Sequence, residues 1–150
     1  MNMRAVVRLA MTALQRLRRV WWFVRRPTTR GVQAAAFTAA GKVVLVRHSY
    51  APGWRLPGGG VKRRETPEAA ALRELKEEIG LSAWRSIAHV LDFEHRPDFR
   101  RGTGTLFRLD GVVHAPRRSL EIEEIAEFDP FDLPAEATGL TRRLVEAAMR

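Results

Sequence analysis

A layered domain that packs helices on a β-sheet, of the α/β or α+β class, is the fold this chain's pattern predicts. Three observations carry the expectation. Short apolar runs of strand character alternate with stretches of helical period, and glycine- and proline-rich connections separate them. At 150 residues the chain is long enough for one real core and leaves little room for a second. Hydrophobic content of 45% and charged content of 29% fit a globular chain.

The first element is helical. In "MRAVVRLAMTALQRLRRVWWFVRR", residues 3 to 26, the side chains Val6, Leu9, Ala10, Ala13, Leu14, Leu17, Val20, Trp21 and Val24 recur at helical spacing on one side. Arg4, Arg8, Thr12, Gln15, Arg16, Arg19 and Arg26 take the other side. Pro27 stops this helix and "PTTRG" makes a linker, so residues 1 to 30 are expected to stand apart from a domain over 31 to 150. Arg8 breaks the apolar stretch, against a secretory signal, although the Arg-rich, acid-free composition is also that of an organelle transit peptide. No segment reaches the roughly 20 uninterrupted apolar residues a spanning helix needs.

From Gly31 the period shortens. "VQAAAFTAAGKVVLVRH" reads as two strands around a turn at Ala40-Gly41-Lys42, with Val43 to Val46 a buried run. "PGWRLPGGG" reads as an irregular glycine-rich loop. A helix is expected from Pro67 to Ile79, with Thr66 as N-cap, Pro67 at the first helical position and Gly80 as the stop. Trp84 to His95 and Thr105 to His114 read as two longer strands joined by the polar loop "RPDFRRGTG". An acidic connection, "EIEEIAEFDPFDLP", leads to a closing amphipathic helix at about Pro134 to Met149.

Charge is divided along the chain. Residues 1 to 64 carry fourteen Lys and Arg and no acid, whereas the rest carries twelve basic residues against all seventeen acids. The basic part suits an anionic surface or a phosphate-rich ligand, and composition alone does not choose between them. With no cysteine, disulfides, thiolate zinc sites and cysteine nucleophiles are excluded. No Walker-type GK[ST] follows the glycines, and the four histidines have no metal-ligand spacing.

The densest chemistry lies in "GGGVKRRETPEAAALRELKEEIGL", Gly58 to Leu81. At about 100° per residue, Glu74, Glu77 and Glu78 share one helix face, while Leu72, Leu75 and Ile79 fall on another and can bury. Like charges at these spacings cost roughly a few tenths of a kcal/mol per pair in an exposed helix. A divalent cation reverses that sign, and hard oxygen ligands suit Mg²⁺, which also binds substrate phosphates. A string such as "ELKEE" alone is more often a solvated surface. Here three glycines open the mouth of the helix, and Glu65 lies eight residues before Arg73, where the loop can fold back to pair with it.

This stretch resembles the signature box of the Nudix hydrolases: Gly59, Glu65, Arg73, Glu74, Leu75, Glu77, Glu78, Gly80 and Leu81 occupy its nine specified positions without departure. The resemblance covers about Gly31 to Arg150. It implies an α-β-α sandwich with a mixed sheet, preceded by the N-terminal helix, and Mg²⁺-dependent (or Mn²⁺-dependent) hydrolysis of a nucleoside diphosphate linked to a moiety X. By matched position, Glu74 and Glu78 are the expected direct metal ligands, with Glu77 helping and the carbonyl of Gly58 or Gly59 completing the shell. Glu65 and Arg73 are the expected positioning pair. Arg47, Arg55 and Lys62 are candidates to clamp phosphate oxygens. The general base stays open among the box glutamates and Glu94, Asp98, Glu121, Glu123 and Glu124. Trp54, Phe93 and Phe99 are candidates to stack on a nucleobase, or else core and loop packing. Pro97, sixteen positions after Leu81, is similar to a proline of ADP-ribose-cleaving members. A competing expectation is a nucleotide-binding or membrane-recruited regulatory module in which turnover is incidental.

The expected partners are therefore a nucleoside diphosphate derivative and, for residues 3 to 26, either an anionic membrane surface or the chain's own domain. The clustered aromatics Trp21, Trp22 and Phe23 do not select nucleic acid. A homodimer is compatible with the sequence, and the expected location is cytoplasmic or peripheral to a membrane.

Overall fold

Val43, Val44, Leu45 and Val46 are all fully buried, which a strand achieves only when both faces of its sheet are covered. Val44 and Val46 pack with Ala70, Ala71, Leu75 and Ile79 on one side, while Val43 and Leu45 pack with Leu144, Val145 and Ala148 on the other. The alternating directions of one strand thus build two cores. The arrangement is a helix–sheet–helix sandwich.

In this computed structural model the described residues are 3–25, 29–95, 102–116 and 119–150, and the side chains of 19–25, 29 and 95 lie outside the description. The elements run α1 (Met3–Arg25), β1 (Thr29–Thr38), β2 (Val43–His48), β3 (Trp54–Arg55), β4 (Gly58–Gly60), α2 (Pro67–Ile79), β5 (Leu81–Ala83), β6 (Ser86–His95), β7 (Gly102–His114), β8 (Ile122–Phe128) and α3 (Gly139–Met149). The eight-stranded sheet is mixed, ordered β3-β2-β1-β7-β5, with β4 pairing β1, β6 pairing β7 and β8 pairing β2. Only the β1–β7 pairing is parallel among these strands.

The helix α2 has the predicted bounds, and its ends show why. The Thr66 hydroxyl accepts from the Ala69 N–H at 3.2 Å, and Pro67 begins the helix. Gly80 ends it with φ at 67°, its N–H turned back to the Leu75 carbonyl. A Cβ at Gly80 would meet the carbonyl of Ala115, so space as well as φ requires glycine there.

Three expectations are corrected. The glycine run forms a strand, β4, pairing Gly31 with Gly60, Val32 with Gly59 and Gln33 with Gly58. The acidic connection contains β8, which pairs with β2 from Val43–Phe128 to His48–Ile122. The last helix starts at Gly139, capped by Thr138, because the Pro134 region forms a turn closed by Ala137 N–H to Pro134 O at 2.9 Å.

Candidate active site

The Arg73 guanidinium organises the mouth of α2. Its Nε donates to Glu65 Oε2 at 2.8 Å and its Nη2 to Glu65 Oε1 at 2.9 Å, a two-pronged pairing of planar groups. Nη2 also donates to the Gly60 carbonyl at 2.8 Å, tying helix to glycine strand. Nη1 donates to Glu74 Oε1 at 2.8 Å and, more weakly, to Glu77 Oε2 at 3.5 Å. Glu65 in turn accepts from the Lys62 N–H at 3.0 Å. The loop folds back on Arg73 as its spacing implies.

These bonds favour the ionised carboxylate, so the Arg73 and Lys62 hydrogen bonds hold Glu65 down at about 2. A depressed carboxylate stabilises the fold above its unfolded value, and the contribution is lost as pH falls through the folded value. Between pH 4.5 and about 2 the native protein should therefore lose stability through this group. The Glu65→Gln variant should melt at lower temperature at neutral pH and lose less on acidification across that window. Parallel melting curves for both proteins, with activity abolished in the variant, would move Glu65 from positioning to direct metal contact.

Glu78 is 8% exposed, and its Oε2 accepts from the Gly58 N–H at 3.0 Å. Burial pushes its carboxyl up to about 8, against the Gly58 hydrogen bond and with help from the charges of Glu74, Glu121 and Glu77. Glu74 is also raised, first by burial, although Arg73 pulls the other way; Glu77 and Glu121 add to the rise. Glu77 is exposed. Negative charge thus accumulates where α2 meets β4. Glycine is required on the strand side, since a Cβ at Gly59 would fall on the Glu74 carboxylate and one at Gly58 on the Val32 carbonyl.

A divalent cation fits this donor set. Hard carboxylate oxygens, partly desolvated and raised by mutual repulsion, are what a Mg²⁺ ion neutralises. Among the described residues no three acidic or histidine side chains are already gathered into a cage, so water would complete such an ion's shell.

The remaining sequence candidates sort by position. On β3, Arg55 has a buried Nε without a hydrogen-bond partner, while its Nη2 reaches the Pro52 carbonyl at 3.3 Å. Arg47 pairs with Glu124 at 3.4 Å and lies 4.7 Å over the Trp54 ring. Trp54 is 4% exposed and meets Phe128 edge-on at 4.9 Å. Its ring is enclosed in the α3-side core, which leaves no face for a nucleobase. Phe93 packs against the same core, and its ring fills the space a Cβ at Gly104 would need. Lys62 is exposed and contributes its backbone to Glu65.

Of the acids outside α2, Glu121 is brought into the field of both Glu74 and Glu78. Glu123 and Glu124 are exposed on β8, and Glu94 is exposed on β6. Pro97, Asp98 and Phe99 lie outside the described residues. Tyr50 is a residue that sequence reasoning passed over: the residue is 47% exposed, yet its hydroxyl is pushed up, first by local desolvation and then by Glu78 and Glu121. Its ring lies 5.0 Å from that of His48, whose pKa is lowered by burial and by Arg55. The available signal was that Tyr50 is the chain's single tyrosine, just ahead of the glycine loop.

Comparison with known proteins places this geometry. A family model described as the NUDIX domain matches residues 27–146. Over 151 residues the chain is 31% identical to an RNA pyrophosphohydrolase of Acidiphilium cryptum, covering 83% of this chain and 89% of that one. A local match of 42% over 64 residues links it to the RNA pyrophosphohydrolase of Gluconobacter oxydans, and spans 41% of this chain and 38% of that protein. Among solved structures, the MutT NUDIX hydrolase of Burkholderia pseudomallei superposes with a TM-score of 0.70 at 26% identity, covering 81% of this chain and 98% of that chain. The NUDIX domain of Shewanella oneidensis NrtR, complexed with ADP ribose, shares the fold at a TM-score of 0.67 and 20% identity, over 82% of this chain and 87% of its own.

Proposed function

This chain belongs to the Nudix family and is a hydrolase of phosphorus-containing acid anhydrides, and we propose that it cleaves a nucleoside diphosphate linked to X with Mg²⁺ held by Glu74 and Glu78. The observation that carries the reading is the seating of those two carboxylates, one turn apart on α2, against the glycine strand, with the single guanidinium of Arg73 on Glu74 and both carboxyls still raised by burial and neighbouring acids. Divalent cations such as Mg²⁺ are the family's general requirement.

Bound there, the cation would neutralise charge developing on the phosphoanhydride and lower the pKa of water. The protein's own residues would do the rest. Arg73, fixed by Glu65, holds Glu74 in place. Arg55 would have to turn its buried, unpartnered Nε–H outward to offer it to a phosphate oxygen. Glu121 accepts a proton from the attacking water, whose oxygen bonds to phosphorus as the anhydride P–O bond breaks and the leaving phosphate departs with the bonding pair. Arg47 is the second candidate clamp, and its pairing with Glu124 would have to open for that role.

For X, the terminal phosphates of an RNA 5′ end are favoured over ADP-ribose. Support comes from the relative named RNA pyrophosphohydrolase, which aligns with most of both chains. The ADP-ribose complex, at 20% identity, supports the fold alone. The test is hydrolysis in Mg²⁺ of 5′-triphosphorylated oligoribonucleotide, ADP-ribose, nucleotide sugars, dinucleoside polyphosphates and nucleoside triphosphates. Conversion of the RNA end to monophosphate at the highest kcat/KM is the expected result. Preference for ADP-ribose would reassign X; tight binding without turnover of any compound would support the regulatory-module reading.

A further inference from the structure

The face that α1 turns outward is its apolar one. Val6 is 43% exposed, Leu9 68%, Leu14 54% and Leu17 67%, and at about 100° per residue these four lie on one stripe. The flank that approaches the domain is different: Met11 and Gln15 are the partly buried side chains among those described in α1. Met3, Arg4, Val7 and Arg8 face Leu120, Ile122 and Ile125 as well as Glu123 and Glu124 across a cavity of about 720 Å³. Basic residues of the helix thus face acids of β8, and the stripe that would dock on a core is left in water. Packing on the chain's own domain, one of the two expectations for this helix, is not what these positions show.

We infer that α1 seats this enzyme on an anionic lipid surface, with Val6, Leu9, Leu14 and Leu17 entering the headgroup–acyl boundary. The helix carries no acid, and its helical geometry places Arg16 on the border of the apolar stripe away from the domain, whereas Arg18, on the other border, acts on Tyr50 of the domain. From its border the long Arg16 side chain reaches outward to anionic headgroups while its stem stays with the apolar face. A second copy fits less well, because α1–α1 pairing through the stripe would set arginines beside arginines with no acid to pair them. Nucleic acid would engage the arginines and leave the leucines in water. No described helix is long and apolar enough to cross a membrane, consistent with a helix lying in the interface. The matched family domain begins at residue 27, beyond α1, so the inference adds to the hydrolytic reading and does not rest on it.

Flotation of the full chain with vesicles of phosphatidylcholine and phosphatidylglycerol, against phosphatidylcholine alone, tests it. The wild type should float with the anionic vesicles and be released by high salt. Leu14→Glu with Leu17→Glu should weaken binding by about tenfold or more, the scale of losing buried leucines from an apolar phase. Hydrolysis should be unchanged in that variant, because both positions are exposed; Leu9→Glu is a single-site check that perturbs the helix less. Wild type left unbound by anionic vesicles overturns the inference. So does equal flotation of the glutamate variants, a dimer in solution that they abolish, or RNA retention by both forms with no vesicle binding.

Discussion

Glu78→Gln should reduce Mg²⁺-dependent hydrolysis by about a hundredfold or more, the scale of losing one preorganised electrostatic contact in a transition state, while the metal-free fold stays intact. Glu78 is buried where burial and three neighbouring acids raise its carboxyl to about 8. The sign of the stability effect follows from linkage. With the folded value above the unfolded 4.5, the unfolded chain ionises first, so this group lowers metal-free stability as pH rises from 4.5 to about 8. Glutamine still offers an oxygen to the Gly58 N–H but never ionises. The variant's metal-free melting temperature should therefore change less over that window and equal or exceed the wild type at its upper end. Glu74→Gln should also lose activity by orders of magnitude. Loss of activity accompanied by a large fall in melting temperature would make Glu78 a structural residue instead.

Arg73→Ala should be the most destabilising single change at the site, by about 2–3 kcal/mol, because it strands several hydrogen-bonded acids at once. Its guanidinium joins Glu65, Glu74, Glu77 and the Gly60 carbonyl, which together link the loop, α2 and β4. Equilibrium urea unfolding reads the effect as a lower midpoint with an unchanged slope. Arg73→Lys should recover only part of it, since a single ammonium cannot reproduce the two-pronged contact to Glu65. Activity should fall in both variants through misplacement of Glu74. A midpoint equal to that of the wild type would remove Arg73 from its organising role.

Much of this was legible in the residues themselves. The bounds of α2 follow from Thr66, Pro67 and Gly80, whose cap chemistry is local and needs no tertiary partner. The two-sided burial of Val43–Val46 was legible for a similar reason, as an apolar run without alternation. Other features are set by contacts distant in sequence. A glycine run has no side-chain pattern to announce a strand, and β4 forms on the backbone edge of β1, where a Cβ at Gly58 would fall on the Val32 carbonyl. In β8 the acids Glu123, Glu124 and Glu127 mask the strand, whose Ile122, Ile125, Ala126 and Phe128 pack on the two cores. Trp54 could read as a stacking platform until Phe128 and Arg47 occupied its surroundings. The proposal of Glu121 among five candidate acids required the β8–β2 register, which places it beside Ser49, where its charge acts on Glu74 and Glu78. The periodicity of α1 defined an apolar stripe but not its direction, which depends on where the helix meets β8.

The central claim is that Glu74 and Glu78 form a divalent-cation site, and a calorimetric titration of the metal-free protein tests it most directly. Mn²⁺ serves as probe because it shares the oxygen preference of Mg²⁺. Run near pH 7 in two buffers of different ionisation enthalpy, the titration separates binding heat from proton transfer. Because Glu78 holds its proton to about 8 in the metal-free protein, binding should release a fraction of a proton, and the heats in the two buffers should differ. Glu78→Gln should bind more weakly and give buffer-independent heats. Absence of a binding heat for the wild type, or a Glu78→Gln titration indistinguishable from it, would contradict the assignment.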